Sequence, residues 1–125
     1  MKIKLIVLFL SLVPLCALAS RFSQKGMATF YSNQLVGKKT SSGEPYDPDK
    51  MTAAHASLPL NSYVKVLNVK NGRSVVVKIN DRMSRKARYV IDVSQAAAKK
   101  LGIVQAGMGR VQITKVSKEA AMAVL

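Results

Sequence analysis

The sequence predicts a mostly β fold: a compact barrel of short, mainly antiparallel strands with one inserted helix and at most one further helical turn. Three observations carry that expectation. Short runs rich in Val, Ile, Thr, Tyr and Phe recur between residues 25 and 116. An Asn-Gly pair separates two of these runs. One alanine-rich segment has a capping residue before it and a glycine after it.

In chain order, Lys25–Tyr31 is aromatic and β-branched enough for a strand. Residues 32–49 are rich in Ser, Gly, Pro and Asp and show neither a 2- nor a 3.6-residue period, so they read as a long loop, functional or disordered. Met51–Ala56 is short and fits either helix or strand. Tyr63–Val69 and Arg73–Ile79 flank Lys70-Asn71-Gly72, and Asn-Gly tolerates positive φ at both central positions of a two-residue hairpin turn. Tyr89–Val93 makes a further strand. Ser94 caps a helix over Gln95–Leu101, Lys99 and Lys100 suit its last turn, and Gly102 ends it. Val111–Val116 alternates with period two, as a half-buried strand does. Ser117–Leu125 is expected to form one weak helical turn or to stay disordered.

The chain has 125 residues, with 20 Lys+Arg against 6 Asp+Glu. At the N-terminus, Lys2 and Lys4 precede the apolar stretch Leu5–Leu15, too short for the ~20 residues that span a bilayer. Ala17-Leu18-Ala19 supplies a small-x-small cleavage pattern. Residues 1–19 therefore read as a signal peptide and residues 20–125 as one domain with its core at about 26–116. The alternatives are an uncleaved anchor and lipidation at Cys16, which Leu15 in place of a small residue disfavours. Removing Lys2 and Lys4 leaves 18 basic groups against 6 acidic ones, a net +12. In an exported protein, found in the periplasm or cell envelope, such charge points to wall glycans and anionic surfaces instead of nucleic acid. Cys16 is the only cysteine, which excludes an intramolecular disulfide and a cysteine-ligated metal centre. No Gly-rich phosphate fingerprint follows a strand, so no nucleotide cofactor is expected. The absence of Trp removes the usual sugar-stacking platform.

Chemistry is expected from the acids. Five of the six lie between Glu44 and Asp92: Glu44, Asp47, Asp49, Asp81 and Asp92. Glu44 and Asp47 bracket Pro45-Tyr46, so a turn presents both carboxylates on one side. His55, the only histidine, follows small residues that let other groups approach it. Each also has a plain structural account: turn residues, a satisfied core imidazole, an Asp81 pairing with Arg82 or Arg88, and an Asp92 near a helix start. A metal site built on His55 and carboxylates is thin for zinc, and no Gly-x-Ser-x-Gly elbow is present.

The ordered set Gly26–Tyr31, Thr40–Glu44, Met51–His55, Leu58–Leu60, Asn71–Arg73, Val77–Arg82, Val90–Ser94, Ala96–Ala98 and Leu101-Gly102 resembles the double-psi β-barrel domain of the rare lipoprotein A family, from about Gly26 to Val116. The resemblance implies a six-stranded barrel with two crossed psi-shaped connections. It implies an endolytic peptidoglycan transglycosylase that cuts between N-acetylmuramic acid and N-acetylglucosamine, prefers strands stripped of stem peptides, and leaves a 1,6-anhydro end. The family's important polar positions fall on Glu44, Asp47, His55 and Asp81. Asp92 matches the strand aspartate that is catalytic in distant lytic transglycosylase and endoglucanase relatives. On this footing Asp92 is the expected acid/base with Asp81 beside it. Glu44 and His55 would orient sugar or form the alternative proton-handling pair, and Asp47 would support the loop.

The expected partner is the peptidoglycan glycan strand, steered by Lys38, Lys39, Arg82, Arg85, Lys86 and Arg88. No cofactor, metal, nucleic acid or stable membrane insertion is expected, and the protein is expected to be a monomer. One departure stands out: the family usually continues with Gly-Pro after Asn80-Asp-Arg82, whereas this chain has Met83-Ser84. Methionine lacks glycine's access to positive φ, so the loop beside the site should be reshaped. The alternative from another class is a non-catalytic, expansin-like wall-binding or wall-loosening protein.

Overall fold

The computed structural model describes residues 22–125; the expected signal peptide and Cys16 lie outside that range. The strands are β1 (Ser23–Phe30), β2 (Thr52–His55), β3 (Tyr63–Asn68), β4 (Ser74–Arg82), β5 (Ile91–Val93) and β6 (Gly109–Val116). Helix α1 (Gln95–Leu101) connects β5 to β6, and α2 (Lys118–Met122) follows β6. The six strands close into a barrel in the order β1-β5-β2-β4-β3-β6. Two pairs, β1 with β5 and β2 with β4, are parallel, and the other four are antiparallel. Closure leaves no free edge to recruit another chain.

Alternation fills the interior. Val64 and Val66 on β3, Val75, Val77 and Ile79 on β4, Ile91 and Val93 on β5, and Val111 and Ile113 on β6 all point inward and are buried. Each such side chain stabilises the fold by about 1.5–3 kcal/mol relative to exposure. Leu101 from α1 and Ile103 after it join the same core. The helix begins as its sequence predicts: Ser94 Oγ accepts from Ala97 N, and Gly102 sits at φ 74° after the last turn.

The segment that fits either state, Met51–Ala56, forms β2 over Thr52–His55, because its backbone pairs with β4 on one side and β5 on the other. The β3–β4 turn departs from the two-residue form. Asn68 N donates to Arg73 O, leaving Val69–Gly72 as a four-residue loop, and Gly72 takes positive φ whereas Asn71 does not. The reason is tertiary. Asn71 Nδ2 and the buried Asn68 Nδ2 both donate to the Leu101 carbonyl, an orphan acceptor at the end of α1.

A second, smaller cluster lies outside the barrel. Tyr31, Tyr46 and Ala54 are buried together, with Leu35 and Met83 packed against them. The long loop is ordered and doubles back over this face. Tyr46 N donates to Lys38 O, Gly37 N to Tyr46 O, and Thr40 N to Glu44 O, with a bridge between Lys39 and Pro45. Met83 therefore contributes to this small apolar cluster.

Gly26 faces Val90, and a Cβ there would press into the valine side chain. Gly26→Ala should lower stability by about 1–3 kcal/mol, read as a lower urea midpoint with an unchanged m-value.

Candidate functional site

The site begins with a register. Ala54 on β2 pairs with Asp92 on β5 and with Asp81 on β4. The two aspartates thus flank one alanine across three neighbouring strands, with only a methyl group between them. Asp92 reaches the outer face by simple alternation, since Ile91 and Val93 point into the core. Asp81 does not. Val75, Val77 and Ile79 are interior, so strict alternation would send Asp81 inward as well. A β-bulge intervenes: Ala53 pairs with Ile79 but Ala54 pairs with Asp81, which leaves Asn80 as the extra residue. The bulge turns Asp81 outward to the Ala54 face.

The environments of the two carboxyls are opposite. Asp81 Oδ1 accepts from Ser41 N (2.9 Å), Ser41 Oγ (2.8 Å) and Arg82 N (2.9 Å), and Oδ2 accepts from the Tyr31 hydroxyl (2.6 Å). Burial works against the charge, but the hydrogen bonds from Tyr31, Ser41 and Arg82 outweigh it and hold Asp81 below the ordinary carboxylate range. Asp92 Oδ1 is buried with no hydrogen-bond partner among the described residues. Burial and the nearby Asp81 charge push Asp92 up to about 6. One carboxyl is fixed as an anion and its neighbour retains a proton into mildly acidic conditions, the division of labour that acid/base chemistry needs.

The other expected residues sit elsewhere around this pair. Glu44 ends a tight turn and forms an ion pair with Lys78, Oε1 to Nζ 3.0 Å, which holds its carboxyl below the usual range. Asn80, the bulged residue, accepts from Ser42 N through its backbone carbonyl. The bulge therefore also anchors the acidic turn. Glu44, Asp47, Lys50, Tyr63, Lys78 and Asn80 line a groove of about 400 Å³ on that side. Asp47 Oδ1 accepts from Asp49 N and shapes the turn that follows. The structure does not bring His55 to the acid pair. Its Nδ1 accepts from Ser57 N and Leu58 N, its Nε2 faces Gln24 Oε1 at 2.9 Å, and Phe22 packs edge-on against the ring. Two donors on Nδ1 fix the tautomer with the proton on Nε2. Burial and Arg82 lower the His55 pKa, so the ring stays neutral.

Three contributors escape a reading by sequence. Tyr31 and Tyr46 stack at 4.3 Å with the rings 15° apart, and Ser41 supplies two of the four donors to Asp81. The available signal was positional: two of the four tyrosines lie at the end of the first strand and between Glu44 and Asp47. Among the described residues, no group of three His, Cys, Asp or Glu gathers to hold a metal ion, and no helix is long and apolar enough to cross a membrane.

Comparison with known proteins adds the following. Residues 23–113 match the family model described as Lytic transglycolase. The chain is 48% identical over 97 residues to the endolytic peptidoglycan transglycosylase RlpA of Neisseria meningitidis, covering 78% of this chain and 41% of that protein. It is 50% identical over 92 residues to RlpA of Vibrio cholerae, covering 74% and 35%. The chain thus spans less than half the length of these relatives. Among solved structures, an expansin from Clavibacter michiganensis superposes with a TM-score of 0.63 at 23% identity, over 78% of this chain and 52% of that one. A Streptomyces papain inhibitor superposes with 0.62 at 24%, over 77% and 96%. At these identities the two structures support the fold alone.

The raised Asp92 pKa has a stability consequence. Its folded-state value lies above the unfolded one, so stability is lost as pH rises between about 4 and about 6, by on the order of 2–3 kcal/mol. Asp92→Asn should remove that loss. The variant should melt several degrees above the wild type at pH 7.5, with the difference vanishing near pH 4 in calorimetric scans.

Proposed function

The chain belongs to the lytic transglycolase family of double-psi β-barrels, and on that premise we propose that it cleaves peptidoglycan glycan strands between N-acetylmuramic acid and N-acetylglucosamine, leaving a 1,6-anhydro end. The observation that carries this reading is the acid pair: an unpartnered, buried Asp92 carboxyl beside a hydrogen-bonded Asp81 anion. The named activity of the relatives supports the substrate.

Cleavage needs a proton on the departing sugar oxygen and negative charge near an oxocarbenium-like carbon. Asp92 in its protonated form gives its proton to the glycosidic oxygen as the C1–O bond breaks. Asp81, held anionic, stabilises the positive charge that develops at C1. The muramic 6-hydroxyl then bonds to C1 in place of water and returns its proton to Asp92, closing the 1,6-anhydro ring and restoring the acid. The groove lined by Glu44, Asp47 and Lys78 holds adjoining sugar through hydrogen bonds to its hydroxyl and amide groups. His55, with both ring nitrogens engaged, serves to fix the end of β2. Export to the periplasm or cell envelope gives such an enzyme access to its substrate.

The decisive experiment incubates the protein with amidase-stripped glycan strands and reads the products by mass spectrometry. Anhydro-ended fragments are expected, with turnover falling as pH rises through about 6. Asp92→Asn should lower kcat by about 10²–10⁴-fold, and Glu44→Gln should act mainly on KM. Binding without anhydro products would replace this reading with a non-catalytic wall-binding one. Lys38, Lys39, Arg82, Arg85, Lys86 and Arg88 are all exposed, and each disaccharide carries a lactyl carboxylate. Glycan affinity should therefore weaken steadily as salt rises, measured by co-sedimentation at graded ionic strength.

A further inference from the structure

We propose that Tyr31 is the positioning residue of the acid pair: its hydroxyl occupies the one oxygen of Asp81 that would otherwise be free to carry a proton, and so assigns the proton to Asp92. The functional consequence rests on the glycan-cleaving reading, but the geometric claim does not.

The argument starts from a count of donors. Asp81 Oδ1 already accepts from three groups, whereas Oδ2 accepts from the Tyr31 hydroxyl alone. A protonated Asp81 would have to place its hydrogen on Oδ2, facing a phenol that points its own hydrogen at the same atom. The phenol is held there. Tyr31 N donates to Val93 O and Tyr31 O accepts from the Gln95 side chain, so the backbone is tied to β5 and α1. The ring is stacked on Tyr46, whose own hydroxyl accepts from Gln95 N at 3.1 Å. Burial and Asp81 both push the Tyr31 phenol pKa up, so it remains a donor throughout the range in which the carboxyls titrate.

The groups facing Asp81 are few. Tyr31 comes from the end of β1, Asp92 from β5 and Arg82 from β4 itself, with Tyr46 behind Tyr31 on the loop. Arg82 turns its guanidinium to the His55 carbonyl, offering Asp81 only its backbone N–H. β2 contributes Ala54, which does not titrate. Ser41 supplies two donors that cannot take up a proton from Asp81 in this range. Among these groups, only Tyr31 contacts Oδ2.

The test is a carboxyl-carbon NMR titration of the full chain from pH 2 to 8, comparing the wild type with Tyr31→Phe and Tyr46→Phe. Phenylalanine keeps the stacked ring and removes one hydroxyl. In Tyr31→Phe the proton affinity of Asp81 should rise on the order of tenfold, drawing the two titration midpoints together. Tyr46→Phe should leave Asp81 in place. On glycan, Tyr31→Phe should move the acidic limb of the pH–rate profile upward and leave the basic limb where it was, a change that general loosening would not produce. Fluorotyrosine at position 31, a stronger donor of the same shape, should shift Asp81 in the opposite direction and decides the matter if the phenylalanine variant fails to fold. An unchanged Asp81 midpoint, or an equal shift in Tyr46→Phe, overturns the proposal. A wild type that cuts no glycan overturns the proposed function but leaves the titration able to judge Tyr31.

Discussion

One inserted residue governs how the acids are arranged on this barrel. Asn80 bulges out of β4 where that strand runs parallel to β2, and the register slips between Ala53 and Ala54. Upstream of the slip, Val75, Val77 and Ile79 build the core; downstream, Asp81 emerges on the outer face beside Ala54. Without the slip a carboxylate would enter a valine-isoleucine interior, at a cost of several kcal/mol. The same residue secures the acidic turn through its carbonyl, which accepts from Ser42 N. The position of Asp81 and the attachment of the Thr40–Glu44 turn thus share one local distortion.

Around that distortion the protein arranges two like groups in unlike surroundings. Four donors converge on Asp81, from a phenol, a serine and two backbone amides. Asp92 has a buried oxygen with no partner among the described residues. Because a carboxylate is stabilised by donors and a carboxylic acid by their absence, the pair divides into anion and acid. The outer cluster of Tyr31, Tyr46, Ala54, Leu35 and Met83 supplies the low-polarity surroundings in which that division is strong. Met83 adds apolar surface to this cluster.

His55 has both ring nitrogens occupied by neighbours within the protein. Two backbone donors meet Nδ1, a glutamine faces Nε2, and a phenylalanine edge seals the ring. Placed one residue beyond Ala54, it falls by alternation on the other side of β2 from the acid pair. The family resemblance implied a role for His55 beside the carboxylates. It is separated from them by the thickness of a strand.

Much of the fold is written locally. The helix from Gln95 to Leu101 follows from Ser94, its alanines and Gly102, and β3, β4 and β6 follow from period-two alternation of valine and isoleucine, because capping and pleating depend on residues a few positions apart. The gathering of acids between Glu44 and Asp92, and the family resemblance carried by ordered motifs, were equally legible. What the sequence left open was each feature that depends on a distant partner. The state of Met51–Ala56 was settled by backbone pairing with β4 and β5. The β3–β4 turn widened because the end of α1 required donors from Asn68 and Asn71. The outward turn of Asp81, its bond to Tyr31 fifty residues earlier in the chain and the unpartnered Asp92 arose only on barrel closure. Hydrogen bonding and burial are properties of neighbourhoods in space, and linear order does not encode which neighbourhoods will form.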